Sequence, residues 1–164
     1  MTAAQEPPLK QVPLTGLLGI ALEAMLAEFR GQLEQEGYGD IRPTHGCVFR
    51  FVHGDGMRLT DLSALAGMTK QSVGEVVDDL AERGYVERFP DPDDRRAKLI
   101  RLTAKGKEAQ ATGFGIFAAI EQRWAERFGP DRLADIRALL EEIAHAEAPE
   151  AVPELARPAL AHAS

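Results

Sequence analysis

Residues 59–106, LTDLSALAGMTKQSVGEVVDDLAERGYVERFPDPDDRRAKLIRLTAKG, constrain the fold of this chain more than any other stretch. Thr60 is an N-cap candidate for a short helix, DLSALAG, which stops at Gly67. Thr69 is the N-cap candidate of the next helix, with Met68 and Val73 spaced as a hydrophobic staple. In that second helix Val73, Val76, Val77 and Leu80 recur at i, i+3, i+4 and i+7, a buried stripe that Gly84 closes. Two helices joined by the Gly67-Met68 turn make a helix-turn-helix. YVERF and AKLIRL then read as short strands around the Pro90–Asp94 turn, a hairpin wing. Between Arg95 and Lys107 there are six cations and no acids. A cationic hairpin beside a helix whose N-terminus is free to enter a groove points to duplex DNA.

The net charge of -7 seen alone argues against that partner, but its distribution does not. From Arg58 to Lys107 ten Lys and Arg face nine Asp and Glu, whereas the rest of the chain carries nine cations against seventeen acids. Phosphate responds to the local field within a Debye length of about 8–10 Å, so a polarised acidic protein can still grip DNA. No apolar run approaches the roughly 20 residues of a membrane span. The opening MTAAQEPPLKQVP lacks the order of a signal peptide, and the single cysteine, Cys47, excludes an internal disulfide. A cytoplasmic protein is expected.

Outside the central block the pattern is helical. Residues 1–12 read as a loose arm. From 14 to about 36, Leu14, Leu17, Leu18, Ala21, Leu22, Met25, Phe29 and Leu33 recur at steps of three and four, ended by Gly37 and Gly39. Pro43 opens a second helix to about His53. A long helix is expected from about Thr103 to Phe128, broken by Gly129-Pro130, and a last one from Arg132 to about Ala146. Residues 147–164 are Ala/Pro-rich and read as a disordered tail. The fold class is therefore mainly α: a winged helix-turn-helix over 42–107, with N- and C-terminal helices (13–41 and 108–146) forming a dimerisation region. Those flanking helices are too apolar to be solvated spacers, and pairing with a second copy is the simplest way to cover them.

Read in order, LTDLSALAGMTKQSV, LAERGYVER and DPDDRRAKLIRLTAKG resemble the MarR family of bacterial transcription regulators, as does the wing signature formed by Asp94, Arg96, Leu102 and Thr103. GPDRLADIRALLEEI looks like the family's closing helix, so the likeness covers about residues 14–146. The resemblance implies an obligate homodimer that binds a near-palindromic DNA operator, usually as a repressor. It also implies release by a small aromatic or other lipophilic effector, or, in some members, by cysteine oxidation.

Individual residues carry different weights. Thr69, Lys70, Gln71 and Ser72 form the first turn of the recognition helix, where Lys70 suits phosphate or guanine and Gln71 suits adenine. Glu75 and Asp79 depart from the family's basic or small polar residues. Glu75 either accepts from cytosine N4 as a specificity residue, or these acids pair with nearby cations and touch no base. Arg95 and Arg96 sit at the wing tip; the resemblance implies that Arg96 is braced by Asp94, leaving Arg95 for the minor groove. Lys98 and Arg101 are phosphate candidates. For an effector, the resemblance points to His45, Phe49 and Val52, with Leu18 and Leu22 as opposite walls, although His45 also reads as a hydrogen-bonded interior histidine. Cys47, near Arg42, His45 and Arg50, is a redox candidate or a small buried hydrophobe. His45, Cys47 and His53 cannot close on one metal ion, and no catalytic constellation or cofactor motif is present. Two rival functions remain: a winged helix used for protein interaction, suited by its acidic face, and an enzyme or carrier of small aromatics.

Overall fold

The computed structural model describes residues 12–94 and 97–147. Helix α1 spans Leu14–Leu33 and runs into a wide turn, Glu34–Tyr38, that ends where Gly37 takes a φ of 89°. A tight turn, Pro43–His45, leads into α2, Gly46–Phe51. Strand β1 (Met57–Arg58), α3 (Leu59–Ala66), α4 (Lys70–Glu82), β2 (Val86–Pro90) and β3 (Lys98–Leu102) follow. Two long helices, α5 (Ala104–Phe128) and α6 (Pro130–Glu147), complete the mainly helical chain. The three strands form one antiparallel sheet in the order β1-β3-β2, with Met57 opposite Ile100 and Arg88 opposite the same residue on the other side.

The expected helix-turn-helix and wing are present. Thr69 caps α4 by accepting the Ser72 N–H at 3.1 Å, and Val73, Val76, Val77 and Leu80 are buried. That stripe packs with Val48, Phe51, Val52, Leu62, Tyr85 and Ile100 in one core. A second, smaller core joins α1 to α5 through Leu33, Ile116 and Ile120, with Phe29 stacked on Phe117 at 4.2 Å. Tyr38 and Ile41 touch both cores.

Several boundaries differ from expectation for local reasons. The proline-led second helix is split, because the His45 ring accepts the Arg42 N–H at 3.0 Å and tightens the first turn. It also stops early, at Phe51, where Val52 turns extended. There the Gln110 side chain of α5 donates to the carbonyls of Phe49 (2.6 Å) and Val52 (3.1 Å). Thr60 does not cap α3: the N-cap is Arg58, and the Thr60 hydroxyl donates to Asp61 instead. Strand β1, two residues long, carries no periodicity that a sequence pattern can register. The final helix starts two residues sooner than expected, at Pro130, whose fixed φ suits a first helical position. The expected arm and tail fall outside the described residues, apart from Val12 and Glu147.

The start of α5 is fixed against the end of α4 at close range. Thr103 accepts the Gly106 N–H at 3.1 Å and donates its hydroxyl to the Gly84 carbonyl at 2.6 Å. A β-carbon on Gly106 would lie 2.0 Å from the Tyr85 carbonyl oxygen, a backbone atom that cannot swing aside. Gly74, inside α4, is the opposite case, since nothing lies within 4 Å of a β-carbon built there. Gly106→Ala is expected to lose about 1–3 kcal/mol by overpacking, whereas Gly74→Ala gains about 0.5–1 kcal/mol of helix propensity. Thermal unfolding of both variants at one protein concentration checks the opposite signs.

Candidate nucleic-acid interface

The interface begins at the first turn of α4. Thr69, Lys70 and Gln71 are exposed and Ser72 is half-buried, so the four residues expected there share one corner. The Thr69 and Ser72 hydroxyls are 2.8 Å apart, which fixes the cap. A helix start leaves amide N–H groups without helical acceptors and carries a partial positive charge, both suited to phosphate.

The acids of α4 divide into two kinds. Asp78 pairs with Arg88 of β2 at 2.7 Å. Asp79 accepts from His45 at 2.7 Å and Arg83 at 3.0 Å, with Arg42 at 3.6 Å. The Arg83 hydrogen bond, aided by His45 and Arg42, holds the Asp79 carboxyl below its ordinary range. Glu75 is exposed and, among the described residues, has no cationic partner and receives the neutral Gln71 amide, at 3.3 Å. Of the four acids of α4, then, Asp78 and Asp79 are committed to cations of the fold itself, and Glu75 and Glu82 are exposed.

His45 is 1% exposed, and both ring nitrogens are engaged. Because Nδ1 accepts the Arg42 N–H, the proton sits on Nε2 and is donated to Asp79, so the ring is neutral. Burial pushes its pKa below the ordinary 6.5, against the pull of Asp79.

The wing is tied at its base by a pair that sequence reading did not anticipate. Arg58 of β1 donates Nε to Asp91 at 2.7 Å, with Nη2 at 2.5 Å. Asp91 is 5% exposed and also accepts the Asp93 N–H at 2.9 Å. That amide, then Arg58, hold its carboxyl below the usual range. The turn closes through the Asp91 N–H to the Ala97 carbonyl (3.1 Å) and the Ala97 N–H to the Asp94 carbonyl (2.9 Å). The signal for the pair was present only as an arginine eight residues past Arg50 and an aspartate in the turn; no local spacing links them. Arg95 and Arg96, and with them the expected Asp94–Arg96 brace, lie outside the described residues. Lys98 is exposed on β3. Arg101 is drawn back onto the wing, paired with Glu87 at 2.8 Å and lying 4.2 Å over the Phe89 ring.

The residues expected to line an effector site do not share one face. Leu18 and Leu22 are exposed on α1, while His45 and Val52 are sealed in the first core. Phe49 is half-buried and meets Tyr85 edge-on at 5.8 Å. Cys47 donates its thiol to the Thr44 carbonyl at 3.3 Å, and burial pushes its pKa up, the reverse of the shift a redox thiolate requires. Among the described residues no cluster of three His, Cys, Asp or Glu could hold a metal ion, and no helix is long and apolar enough to cross a membrane.

The neutral His45 ring gives a pH signature. Its folded pKa is depressed, so its contribution to stability is complete above 6.5 and is lost as pH falls through 6.5 toward the folded value. Asp79 and Asp91, also depressed, act only below about 3.8. Urea unfolding from pH 7 to 5 is therefore expected to show stability falling with pH in the native chain and a flatter profile in His45→Gln, which cannot titrate.

Comparison with known proteins agrees with this geometry. The MarR family profile matches residues 40–97. The HTH-type transcriptional regulator PetP of Rhodobacter capsulatus is 30% identical over 128 residues, covering 73% of this chain and 75% of PetP. The HTH-type transcriptional regulator YdcH of Bacillus subtilis is 30% identical over 76 residues, 46% of this chain, so the chain spans about half (52%) of that relative. The structure of CouR from Rhodococcus jostii RHA1, bound to p-coumaroyl-CoA, matches with a TM-score of 0.64 at 26% identity, over 81% of this chain and 92% of CouR. A winged helix with an exposed recognition turn, and a relative matched over most of its length, place this chain in the MarR family of DNA-binding transcriptional regulators, which are not enzymes.

Proposed function

We propose that this chain is a cytoplasmic repressor that binds a near-palindromic operator as a homodimer and releases it when a small aromatic or lipophilic effector binds. The observation that carries the DNA part is the exposed Thr69–Ser72 turn of α4 beside a wing whose base is braced by Arg58 and Asp91. Lys70 and Lys98 meet phosphate, Gln71 reads a base edge, and Arg95 serves the minor groove while Arg96 braces the wing tip. Arg101, held by Glu87, stiffens the wing and reaches phosphate only if that pair opens.

The dimer is supported by two apolar faces left open. Leu14, Leu17, Leu18, Ile20 and Leu22 on α1, and Ile136, Leu139, Leu140 and Ile143 on α6, are exposed. Contiguous apolar surface of this kind is unfavourable in water and marks a contact. Two copies joined there carry two recognition helices to half-sites about one helical turn, 34–36 Å, apart. The effector part is supported by CouR, which binds p-coumaroyl-CoA. Leu18 and Leu22 are available to such a ligand on the α1 surface, with Phe49 the most accessible of the inner candidates. The exposed acids Glu75 and Glu82 on α4 favour the rival reading, a protein-interaction module.

Selection of duplexes from a random library by the purified chain, at two salt concentrations, separates the two. Enrichment of a near-palindrome with half-sites about one turn apart, weakening steeply with salt, is expected. Lys70→Ala is expected to weaken binding uniformly and lower the salt slope by about one. Arg58→Ala is expected to weaken binding by loosening the wing, and reversing Arg95 and Arg96 to Glu is expected to abolish it. No enrichment, with the reversal silent, sinks the operator reading and favours the interaction module. Aromatic acids and their CoA thioesters, added to the bound duplex, test release.

A further inference from the structure

We propose that Gln71 and Glu75 form one base-reading unit on α4, with Glu75 selecting a cytosine and Gln71 an adenine within each operator half-site. This deepens the operator reading and rests on it.

The outer face of α4 is set by its buried stripe. Opposite Val73, Val76, Val77 and Leu80, at 100° per residue, lie Gln71, Glu75, Asp78 and Glu82, all exposed. Asp78 is neutralised by Arg88, and the flanking Asp79 by Arg83, with Arg42 at 3.6 Å and a hydrogen bond from the neutral His45 ring. Glu75 has no cationic partner among the described residues, and its partner is the Gln71 amide one turn earlier, at 3.3 Å. That bond engages Oε1 of the carboxylate and leaves Oε2 to accept from a second donor.

Gly74 is an independent observation. It is a helix-weakening residue in the middle of α4, yet none of the described residues occupies the space a β-carbon would fill. No packing among the described residues calls for glycine there. It stands beside Glu75 on the flank of the outer face, where a missing side chain lets the helix backbone approach another surface closely.

The chemistry of the major groove then narrows the choice. A carboxylate is repelled by phosphate, by guanine O6 and N7, and by thymine O4; it needs an exocyclic amino group. In its base pair cytosine N4 has an acceptor on one side, guanine O6, whereas the adenine N6 amino group lies between two acceptors, its own N7 and thymine O4. Gln71 suits adenine: one N–H is held by Glu75, the other donates to N7, and Oε1 accepts from N6. Four helical residues advance about 6 Å, less than two base-pair steps of about 3.4 Å, so the two bases are near neighbours. Glu75 therefore lowers affinity for most sequences and raises discrimination at one position.

The test is duplex selection from a random library by the native full-length chain, Glu75→Ala and Glu75→Gln, followed by titration of the selected duplex with its cytosine changed to thymine. Circular dichroism confirms that each variant folds, as an exposed position predicts. The native chain is expected to select a cytosine at one position per half-site and to lose about five- to hundredfold in affinity on the change to thymine. Glu75→Ala is expected to lose that discrimination while keeping the preferences elsewhere in the site and binding unrelated duplex more tightly. Glu75→Gln is expected to select adenine where the native chain selects cytosine. Full cytosine preference in Glu75→Ala, or a native site with no cytosine preference, overturns the proposal while the operator reading stands. A native chain that selects no sequence overturns both.

Discussion

Tyr85 is the joint on which the arrangement of this molecule depends. Its carbonyl accepts the Thr103 N–H at 3.0 Å, and Gly106 lies so close that no side chain fits between. Its N–H donates to the Leu80 carbonyl at 2.9 Å, ending α4. Its ring is wholly buried, edge-on to Phe49 and covered by the Lys105 ammonium at 4.0 Å, and its hydroxyl donates to Asp40 at 2.6 Å. Burial and that carboxylate push the phenol's pKa up, so the hydroxyl stays a donor. One residue thus locks the end of the recognition helix, the root of the wing, the start of α5 and the loop after α1. The direction in which α4 presents its first turn is inherited from this joint.

The parts of the fold legible in the sequence are those in which one local signal decides. Thr69 and Thr103 cap helices because a threonine followed by a helical run offers its oxygen to amides three residues on. The stripe from Val73 to Leu80 is visible because burial on one side imposes a helical period. The parts that escaped are set by partners distant in sequence. Arg58 carries no local signal of its role, which arises because β1 pairs with β3 and brings it to Asp91. Likewise α2 ends where Gln110, some sixty residues away, satisfies its carbonyls. Leu18, Leu22, His45, Phe49 and Val52 share helical spacing on two helices; the interior, hydrogen-bonded reading of His45 is the one the structure bears out, but spacing does not reveal that Val52 also faces inward.

The acidic character of the chain looks different once its pairs are known. Asp78, Asp79 and Asp91 lie in or beside the DNA-binding unit, yet each is held by an arginine of the same unit. Their charge is neutralised at source and adds little repulsion toward phosphate within a Debye length. The same pairing uses up arginines: Arg58, Arg83, Arg88 and Arg101 all serve the fold. The cations left for phosphate are fewer than a count along the sequence suggests. A protein with few phosphate contacts gains less non-specific affinity, so its discrimination rests more on base edges.

The connection between the two cores bears on how such a protein could be controlled. Gln110 stands on α5 and bonds to the carbonyls of Phe49 and Val52 and to Nδ1 of His53, at 2.6, 3.1 and 3.2 Å. His53 in turn donates Nε2–H to the Arg50 carbonyl at 2.8 Å. The end of α2 is therefore carried by α5, and the start of α2 is carried by α4 through His45 and Asp79. A displacement of α5 reaches the recognition helix along a path of hydrogen bonds that lengthen sharply in cost with distance, rather than through compliant apolar contact. Under the proposed function, a ligand seated against α1 and α5 would shift the DNA-bound population only by the difference in its affinity for the two arrangements.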